Sequence, residues 1–379
     1  MDIVITDVRY KMALAPLWSL AREGYSVLCG ESSQVPAEQC LGFYSKYCKE
    51  TIRWPQAEAR EIAARCPEGS VVLPVGRGTV RSFAQHPEAE SRVRVLVSPL
   101  AVLDRADDKG EVQKLARALG IPTPETYDRQ PEESLSAMAR RLQYPVILKH
   151  RNGEALGLKS WQRYRIAHGP DQFSPLYAEM ERSAERPVVQ AYLPGRDVGV
   201  AMVMDAQHRP VDFFCYESLQ EYPLAGGPTC LCRTIFDRRL VQYAAELLAA
   251  LQFEGLAMLD FKAGPDGPCL LEVNPRLWGS AALATVAEAP LFASWVRAAL
   301  REAVPLDVST CRPGYRLDVR MKFLPHCLLA GVRELGRGGW KAFFQDMGAG
   351  LHPGIPEGAR LCGDRGPGRR YWRGLLRRS

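Results

Sequence analysis

Two carboxylates and an amide fall close together in the segment MLDFKAGPDGPCLLEVNPRLWGS, residues 258–280. Its pattern predicts two antiparallel strands joined by a tight turn, which would bring Asp260, Glu272 and Asn274 together at one end. Glu272 and Asn274 are two residues apart, so in a strand their side chains project from the same face. Two carboxylates and an amide oxygen on one face form a hard oxygen site, which suits Mg²⁺ that shares its coordination shell with phosphates.

The residues around Asp260, Glu272 and Asn274 help to decide whether these three side chains bind a metal ion. Arg276 lies just beyond it and supplies a planar cation, which could neutralise charge on a transferred phosphoryl group or bind a substrate carboxylate. The alternative is a solvated hairpin with surface acids. In LLEVN, however, Glu272 lies inside an apolar strand, where an unpaired acid is costly, and this favours the ligand interpretation.

Two lysines could serve an anionic ligand. Lys149 follows four apolar residues in a strand that we expect to be buried, where an ammonium group needs an anionic partner. Lys109 opens a helix in DDKGE, a position where lysine is more often simply exposed. Gly153 and Gly157 follow Lys149 in an irregular loop, and this combination is compatible with a phosphate-binding cradle.

The segment VVQAYLPGRD, residues 188–197, runs from an apolar strand into a Pro-Gly turn and one acid. Its backbone could present a donor and an acceptor to an adenine edge, and Asp197 could accept hydrogen bonds from ribose hydroxyls. Taken alone, the segment favours an ordinary junction between a strand and a turn.

In chain order, these features resemble the ATP-grasp superfamily, particularly its carboligase-like branch, which is similar to the ligases that join D-alanine residues. The resemblance covers residues 1–310 and continues weakly through Asp364–Pro367, and EVNPR at 272–276 is its most specific string. It implies an α/β pre-ATP-grasp (Rossmann-like) N-terminal domain followed by two α+β ATP-grasp lobes, which clasp ATP between them.

The resemblance also implies roles for individual residues. Lys109 and Lys149 match the lysines that reach the phosphates, and residues 153–159, with Gly153 and Gly157, match the flexible loop that covers them. The residues that match contacts to adenine and ribose are Gln190, Ala191, Tyr192, Leu193 and Asp197.

The metal and catalytic residues follow from the same resemblance. Asp260, Glu272 and Asn274 match the ligands of Mg²⁺, with Mn²⁺ as an alternative, and Arg276 and Lys149 are the expected catalytic residues. The segments LAGGPT (224–229) and RLWGS (276–280) resemble turns that face the reacting carboxylate.

The chain departs from the family's usual pattern at three of these positions. Gln190 stands where a glutamate is usual, and its amide oxygen still accepts a hydrogen bond. Asp197 and Asp260 stand where longer acids are frequent, which shortens their reach by one methylene. None of these changes removes an essential group.

The first hundred residues alternate apolar strand-like runs with helical patterns, which is typical of a parallel sheet covered on both faces. The absence of a G-x-G-x-x-G fingerprint after the first strand leaves dinucleotide binding unsupported. The strands expected here are 2–7, 25–31, 69–76 and 92–99, and the helices are 12–24, 58–66 and 79–87.

The residue pattern of the rest of the chain predicts a mixed α and β structure. In it, one long helix, 282–303, follows the expected metal site and closes that region. The other expected elements are helices 108–120, 171–185 and 236–252, and strands 144–150, 187–193, 197–205, 210–219, 255–263 and 267–274. The expected domains are a pre-ATP-grasp domain (1–105), a small lobe with the nucleotide-binding lysines (106–195), a C-terminal lobe with the metal site (196–310) and an extension with a basic tail (311–379).

The net charge of +6 is concentrated at one end. Residues 360–379 hold seven arginines and a single acid, so they carry 7 − 1 = +6 and leave residues 1–359 neutral. A neutral body with a basic end is not typical of a dedicated nucleic-acid-binding protein. We expect a solvated, partly disordered tail, with weak contact to an acidic surface or membrane as the alternative.

The eleven cysteines do not indicate a metal site or a disulfide framework, because their number is odd and no Cys-x-x-Cys pair occurs. The start MDIVITDVRY is not a secretory signal, and no uncharged stretch reaches the length of a membrane-spanning helix. We therefore expect a cytoplasmic protein with reduced, mostly buried thiols.

Together the residues and the resemblance predict an ATP-dependent carboxylate–amine ligase. It would form an amide or peptide bond through an acyl phosphate and release ADP and phosphate, with a small-molecule carboxylate and an amine as substrates. A homodimer is compatible with the sequence. The alternatives are a carboxylase-type enzyme that acts through carboxyphosphate and a non-catalytic nucleotide-binding regulator.

Overall fold

The computed structural model describes the chain except for a few short segments. These are residues 152, 154–155, 159–161, 184–185, 223–226, 266, 337–339, 341–347, 349 and 377–379. The described part contains three β-sheets that follow the chain in order. Strands of 1–105 form the first sheet and strands of 106–195 the second, and the third combines strands of 196–310 with one later strand.

The N-terminal sheet is parallel, with strand order β3-β2-β1-β4. Its strands are β1 (Asp2–Ile5), β2 (Ser26–Ser32), β3 (Glu50–Trp54) and β4 (Val71–Leu73). Its helices are α1 (Leu14–Arg22), α2 (Ala59–Arg65) and α3 (Arg77–Gln85). The central strand β1 is apolar and buried because helices cover both faces, and this confirms the predicted class of the domain.

Two predictions for this sheet need correction. The strand expected at 92–99 is reduced to a single bridge between Val71 and Arg94. Beyond that bridge the chain leaves the sheet, because the Ser98 hydroxyl donates to the carbonyl of Glu254 and accepts its N–H, at 2.9 and 2.7 Å. The polar edge strand β3 was not predicted, since its sequence ETIRW lacks a run of apolar residues.

The second sheet is small and antiparallel, with order β6-β5-β7. It consists of β5 (Val146–Lys149), β6 (Tyr164–Ala167) and β7 (Val188–Ala191). The helices preceding or covering it are α4 (Leu100–Asp107), α5 (Lys109–Ala118), α6 (Leu135–Arg141) and α7 (Pro170–Ser183). Helices α4 and α6 and strand β6 were not predicted. The side chains of Leu148, Phe173, Tyr177 and Val189 fill its core.

The third sheet is the largest, with antiparallel order β12-β11-β8-β9-β10-β13. Its strands are β8 (Arg196–Met204), β9 (Pro210–Glu221), β10 (Thr229–Thr234), β11 (Gly255–Gly264), β12 (Gly267–Asn274) and β13 (Arg320–Lys322). Helices α8 (Arg238–Leu251), α9 (Ala282–Val286) and α10 (Leu291–Ala299) pack near it, and one apolar core joins this sheet to the N-terminal sheet.

The single helix predicted over 282–303 is two helices, α9 and α10. The chain turns at Glu288, whose φ of 59° is left-handed, and Pro290 then precedes the first residue of α10. Proline and a left-handed residue both interrupt the α-helical hydrogen-bond ladder, so the apolar pattern continues across a break that it does not reveal.

The C-terminal extension is folded where the structure describes it, which corrects the expectation of a disordered tail. After α11 (Leu324–Gly336), the chain returns to the N-terminal domain, and its last described helix is α12 (Arg365–Leu376). Asp364 is buried and accepts hydrogen bonds from Trp18 Nε1 at 2.9 Å and from the Ser45 hydroxyl. A buried carboxylate needs such donors, and here they fix the start of α12.

The contact of α12 with the N-terminal domain leads to a stability prediction. A Cβ atom on Gly366 would collide with the backbone carbonyl oxygen of Tyr44, which cannot move without disturbing the domain. We expect Gly366→Ala to lower the free energy of unfolding by about 2–3 kcal/mol, the usual effect of overpacking. Gly374→Ala in the same helix is the matched control, because a Cβ there meets no atom within 4 Å. Equal melting temperatures for the two variants would contradict this docking.

Candidate active site

A cavity of about 560 Å³ lies between the small second sheet and the third sheet. Twelve of the thirteen site residues predicted from the sequence line it, and Gly157 does not. The twelve are Lys109, Lys149, Gly153, Gln190, Ala191, Tyr192, Leu193, Asp197, Asp260, Glu272, Asn274 and, at the far end of the hairpin, Arg276.

Gly157 is the one predicted residue that does not line the cavity. Gly157 has a left-handed φ of 69°. Its neighbours 152, 154–155 and 159–160 lie outside the described residues. So does the first half of the turn LAGGPT, residues 224–226, whereas Gly227, Pro228 and Thr229 line the cavity.

The β11–β12 hairpin brings the two carboxylates and the amide together, as its pattern predicted. Asp260 pairs with Glu272 in the strand register, and the register shifts directly after Asp260. Asn274 Nδ2 lies 3.0 Å from Asp260 Oδ2 and 3.5 Å from Glu272 Oε1, so the amide bridges the two acids. An irregularity of this kind re-aims a side chain, and here it allows Asp260, Glu272 and Asn274 to face the same cavity.

Lys109 reaches Glu272 from a different part of the chain. Its Nζ lies 2.8 Å from Glu272 Oε2. The lysine is the first residue of α5, whose N-terminus is fixed because the Asp108 side chain accepts hydrogen bonds from the N–H groups of Gly110 and Glu111. Helix α5 also packs against β12, which carries Glu272. The ion pair between Lys109 and Glu272 is therefore held in place by the capped N-terminus of α5 and by the packing of α5 on β12.

The electrostatics of the site show strong coupling between these groups. Burial would raise the pKa of Glu272, but the ammonium groups of Lys109 and Lys149 outweigh it and lower that pKa to about 2. Burial and then the nearby Glu272 carboxylate raise the pKa of Asp260 well above its ordinary value. Burial lowers the pKa of Lys149 to about 8. The two carboxylates thus lie close together with less cationic charge at Asp260 than at Glu272.

This arrangement fits a divalent cation. Among the described residues, no group of three or more His, Cys, Asp or Glu side chains is placed to hold a metal. Any ion here would therefore be held by two carboxylates, one amide oxygen and ligand or water oxygens, which is a donor set typical of Mg²⁺. Rotating the Asn274 amide would turn its oxygen toward the acids in place of its NH₂ group. Burial and then the neighbouring Glu272 carboxylate raise the pKa of Asp260, and a bound cation would favour its ionised form.

Tyr216 supports Asp260 and was not predicted as a site residue. Its hydroxyl lies 3.5 Å from Asp260 Oδ1, and its ring stacks on Trp278, with 6.2 Å between the centroids. Gly199 on the neighbouring strand leaves room for this ring, because a Cβ there would overlap it. A glycine inside the apolar strand DVGVAMVM was the available signal, since such a glycine often marks a close approach.

Lys262 is a second residue that the sequence did not identify. It pairs with Asp197 across β11 and β8, and its Nζ lies 2.8 and 2.7 Å from the two carboxylate oxygens. Both residues line the cavity. Asp197 therefore presents its oxygens together with an ammonium group, which is a donor and acceptor pair for hydroxyl groups.

The backbone of residues 190–193 forms another wall of the cavity. The N–H groups of Ala191 and Tyr192 donate to the carbonyls of Glu125 and Pro145, at 2.9 and 3.0 Å. They are therefore not available to a ligand, whereas the Leu193 N–H donates to no described residue. Gln190 is buried, and its amide donates to the Thr126 hydroxyl at 3.3 Å.

Arg276 is held in the turn that follows β12. Its backbone N–H donates to the Asn274 carbonyl at 2.8 Å, and its Nη1 donates to the Leu277 carbonyl at 3.0 Å. With Trp278, Gly279 and Ser280 it lines the end of the cavity formed by RLWGS. The guanidinium is thus tied to the same hairpin end as Asp260, Glu272 and Asn274.

Comparison with known proteins places this geometry in a family. Residues 184–322 match the family model described as ATP-grasp in the biosynthetic pathway with Ter operon. This segment contains Asp197, Asp260, Glu272, Asn274 and Arg276, and so includes the whole hairpin of the site.

Three solved structures share the fold at low sequence identity. The biotin carboxylase–βγ-ATP complex from Campylobacter jejuni has a TM-score of 0.64 and 16% identity, over 84% of this chain and 74% of that one. An ADP complex of N5-carboxyaminoimidazole ribonucleotide synthetase has a TM-score of 0.62 and 14% identity, over 89% of this chain and 85% of that one. The third is the biotin carboxylase domain dimer of 2-oxoglutarate carboxylase from Hydrogenobacter thermophilus, in complex with MgADP, ADP and bicarbonate. It has a TM-score of 0.62 and 14% identity, over 84% of this chain and 73% of that one.

The family match and the shared fold agree with the order of the sheets and with the resemblance carried by EVNPR. The predicted fold class, an α/β N-terminal domain followed by two ATP-grasp lobes, is confirmed. The chain therefore has the ATP-grasp fold, and its residues 184–322 match an ATP-grasp family.

Proposed function

We propose that this protein is an ATP-dependent ligase that activates a carboxylate as an acyl phosphate and transfers the acyl group to an amine. The observation that carries the proposal is the convergence, in one cavity, of Asp260, Glu272 and Asn274 with the ammonium group of Lys109 and the guanidinium of Arg276. Oxygen ligands for a cation beside fixed positive charges are what phosphoryl transfer requires.

ATP would lie along the cavity with its base against residues 190–193. The Ala191 carbonyl would accept from the adenine amino group, and the Leu193 N–H would donate to the ring, since the N–H of Ala191 is already bonded within the protein. Asp197 and Lys262 would bind the ribose hydroxyls. Lys109 and Lys149 would hold the phosphates, whose negative charge favours the ammonium form of Lys149.

The chemistry then proceeds in two displacements. A carboxylate oxygen attacks the γ-phosphorus, the bond between that phosphorus and the β,γ-bridging oxygen breaks, and ADP leaves. The amine next attacks the acyl carbon, loses a proton and displaces phosphate, which retains the oxygen of the former carboxylate. Bound Mg²⁺ would neutralise charge on the phosphate oxygens. Arg276 would stabilise the oxyanions of both displacements, and Lys109 would keep Glu272 ionised and oriented.

A second candidate substrate for the first displacement is bicarbonate, which would give carboxyphosphate. One of the structures that share this fold contains bicarbonate together with MgADP, which supports testing this acid. The two candidates share the ATP site and differ only in the acid that attacks.

The proposal is tested by measuring ADP and phosphate release from ATP and Mg²⁺ across a panel of carboxylates that includes bicarbonate. Each acid is supplied with mixed amines and, separately, with hydroxylamine, which traps acyl phosphates as hydroxamates. We expect release that depends on one acid, a hydroxamate of that acid, and loss of both in Glu272→Gln. Release that depends only on bicarbonate would favour the second candidate. Absence of ATP binding would contradict the proposal itself.

The place proposed for the ribose gives a separate prediction. In Asp197→Asn one carboxylate oxygen becomes an NH₂ group, so the residue can accept fewer hydrogen bonds from the ribose, and those bonds lose their charge. We expect the KM for ATP to rise about tenfold, as loss of a charged hydrogen bond implies, with kcat nearly unchanged. Steady-state kinetics at saturating carboxylate measure both values. Asp318→Asn, at a side chain that is 81% exposed, is the control. A fall in kcat with unchanged KM would contradict the assignment.

A further inference from the structure

Five of the described residues that line the cavity are acids. They are Asp107, Asp197, Glu221, Asp260 and Glu272. The two acids of the hairpin face the cation site, Asp197 is paired with Lys262, and Asp107 is paired with Arg77 at 2.7 Å. Glu221 is the fifth acid, and neither the nucleotide nor the cation accounts for its position in the cavity.

Glu221 is brought into the cavity by an irregular strand pairing. It is the last residue of β9 and pairs with Thr229, the first residue of β10. It lies three residues after Ser218, so a regular strand would turn these two side chains to opposite faces. The pairing of β9 with β10 shifts register between Thr229 and Cys232, and such irregularities re-aim side chains. Ser218, Glu221 and Thr229 all line the cavity as a result.

This wall of the cavity consists of hydrogen-bond acceptors. The described side chains that β9 and β10 contribute to the lining are Tyr216, Ser218, Glu221 and Thr229, and none of them is cationic. The hydroxyls of Ser218 and Thr229 lie 3.0 Å apart. An ammonium group has donors and no acceptor, so a carboxylate beside hydroxyl oxygens suits it. An anionic group placed here would be repelled by Glu221.

Glu221 lies near the cation site but is not one of its ligands. Burial and then nearby carboxylates, that of Glu221 among them, raise the pKa of Asp260. Among the described residues no three acids are placed to hold one metal ion, so Glu221 is not a third carboxylate of that site. Burial and then Glu221 also raise the pKa of Tyr164, which lines the cavity from β6 of the second sheet. Glu221 therefore faces the space between the two sheets, beside the cation site.

Two substrates of the proposed reaction could bring an ammonium group to this wall. The attacking amine must be unprotonated when it forms the new bond, whereas a carboxylate beside it would favour its protonated form. The acid lies next to the cation site, because its carboxylate attacks the γ-phosphorus there. An ammonium group on the acid keeps its proton through both displacements, so it can stay on Glu221 while the reaction proceeds.

We propose that the acid that this protein activates is an amino acid, whose ammonium group binds Glu221 and the hydroxyls of Ser218 and Thr229. This inference rests on the proposed ligase reaction and adds to it the class of the acid and the residue that selects it. Glu221 contacts the substrate and takes no part in phosphoryl transfer. A hydroxy acid of the same skeleton lacks the positive charge and binds this wall more weakly.

The test compares amino acids with hydroxy acids in which a hydroxyl replaces the ammonium group. A panel of α- and β-amino acids and their hydroxy-acid partners is supplied with ATP, Mg²⁺ and hydroxylamine, and the hydroxamates are measured. We expect kcat/KM of the amino acid that is used to exceed that of its partner by about 10–100-fold, as a hydrogen-bonded charge pair implies. Glu221→Gln should remove this preference and leave the hydroxy acid unaffected. Glu221→Asp, which keeps the charge, should retain most of the preference.

Binding without chemistry is measured by calorimetry with the same pairs. The protein is saturated with Mg²⁺ and a β,γ-methylene analogue of ATP, which cannot transfer its phosphoryl group. We expect the amino acid to bind more tightly than its partner in the wild type and equally in Glu221→Gln. Glu246→Gln, at an exposed glutamate of α8 outside the cavity lining, is the control and should keep the preference. Matching melting temperatures verify that the variants are folded.

The two measurements separate this inference from the proposed ligase reaction. Amino-acid binding that depends on Glu221, without release of ADP, would contradict the ligase reaction and leave the ammonium site standing. Hydroxamate formation that Glu221→Gln lowers equally for both members of a pair would leave the ligase reaction standing and overturn the inference. Equal binding of amino acid and hydroxy acid to the wild type would overturn it as well.

Discussion

Replacing Glu272 with glutamine should reduce kcat of the ATP-dependent reaction by roughly 10³-fold or more, in the range found for groups that stabilise charge in phosphoryl transfer. The change is nearly isosteric, but it removes one of two carboxylates that face the cavity and the partner that holds Lys109 at 2.8 Å. The measurement is steady-state release of ADP at saturating ATP, Mg²⁺ and acid.

A glutamate on the surface provides the control for this variant. Glu246 lies on α8, is exposed and lies outside the cavity lining, so Glu246→Gln should retain wild-type kcat. Melting temperatures of the two variants separate a local effect from unfolding. If Glu272→Gln kept more than a tenth of wild-type kcat with its fold intact, Glu272 would not be a metal ligand of the reaction.

Replacing Arg276 with alanine should lower kcat by about 10²–10³-fold, as loss of one preorganised donor does, and change the KM for ATP only slightly. The reason is geometric, because the guanidinium is tied to the hairpin end through Asn274 and Leu277 and lies on the side of RLWGS rather than of residues 190–193. Arg276→Lys should recover only a small part of the activity, since an ammonium lacks the planar array of donors.

The kinetic pattern distinguishes this role from simple nucleotide binding. A large rise in the KM for ATP with unchanged kcat would mean that Arg276 contacts the ground-state phosphates and not the charge that develops during transfer. Arg312→Ala is the control, because this arginine is exposed and lies outside the cavity lining. It should leave both constants as in the wild type.

The hairpin of the site could be predicted from the sequence because its information is local. Alternation of side chains fixes that Glu272 and Asn274 share a face of β12, and the short turn places Asp260 close to them. The register shift after Asp260 could not be predicted, and it completes the grouping, because the turn register alone would pair Asp260 with Leu271. The parallel N-terminal sheet was predictable for a similar reason, since its strands β1 and β4 are parts of short, continuous apolar runs.

Contacts between distant segments could not be predicted in this way. Nothing near Lys262 in the chain reveals that it neutralises Asp197, because the pair depends on β11 lying beside β8, 65 residues earlier. The same holds for Tyr216, which reaches Asp260 across β8 only because Gly199 leaves space. Such pairs require the strand order, which residue patterns do not determine.

The basic tail shows how composition alone can mislead. Arginine-rich composition favoured a solvated terminus, whereas the structure packs α12 on the N-terminal domain through Asp364 and glycines that permit close approach. Asp364 and Gly366 determine this packing, and a count of charged residues gives little weight to either of them.

The eleven cysteines are free thiols, and the prediction that most of them are buried is confirmed for eight. The described helices are too short or too polar to span a bilayer.

The central claim, activation of a carboxylate as an acyl phosphate, is tested most directly by following the carboxylate oxygens. The acid identified by the substrate panel is labelled with ¹⁸O in both carboxylate oxygens and turned over with ATP, Mg²⁺ and its amine. We predict that each released phosphate carries one ¹⁸O atom and that ADP carries none. Unlabelled phosphate would mean that water attacks ATP, and label in AMP would mean an acyl adenylate. Either result would contradict the proposed reaction.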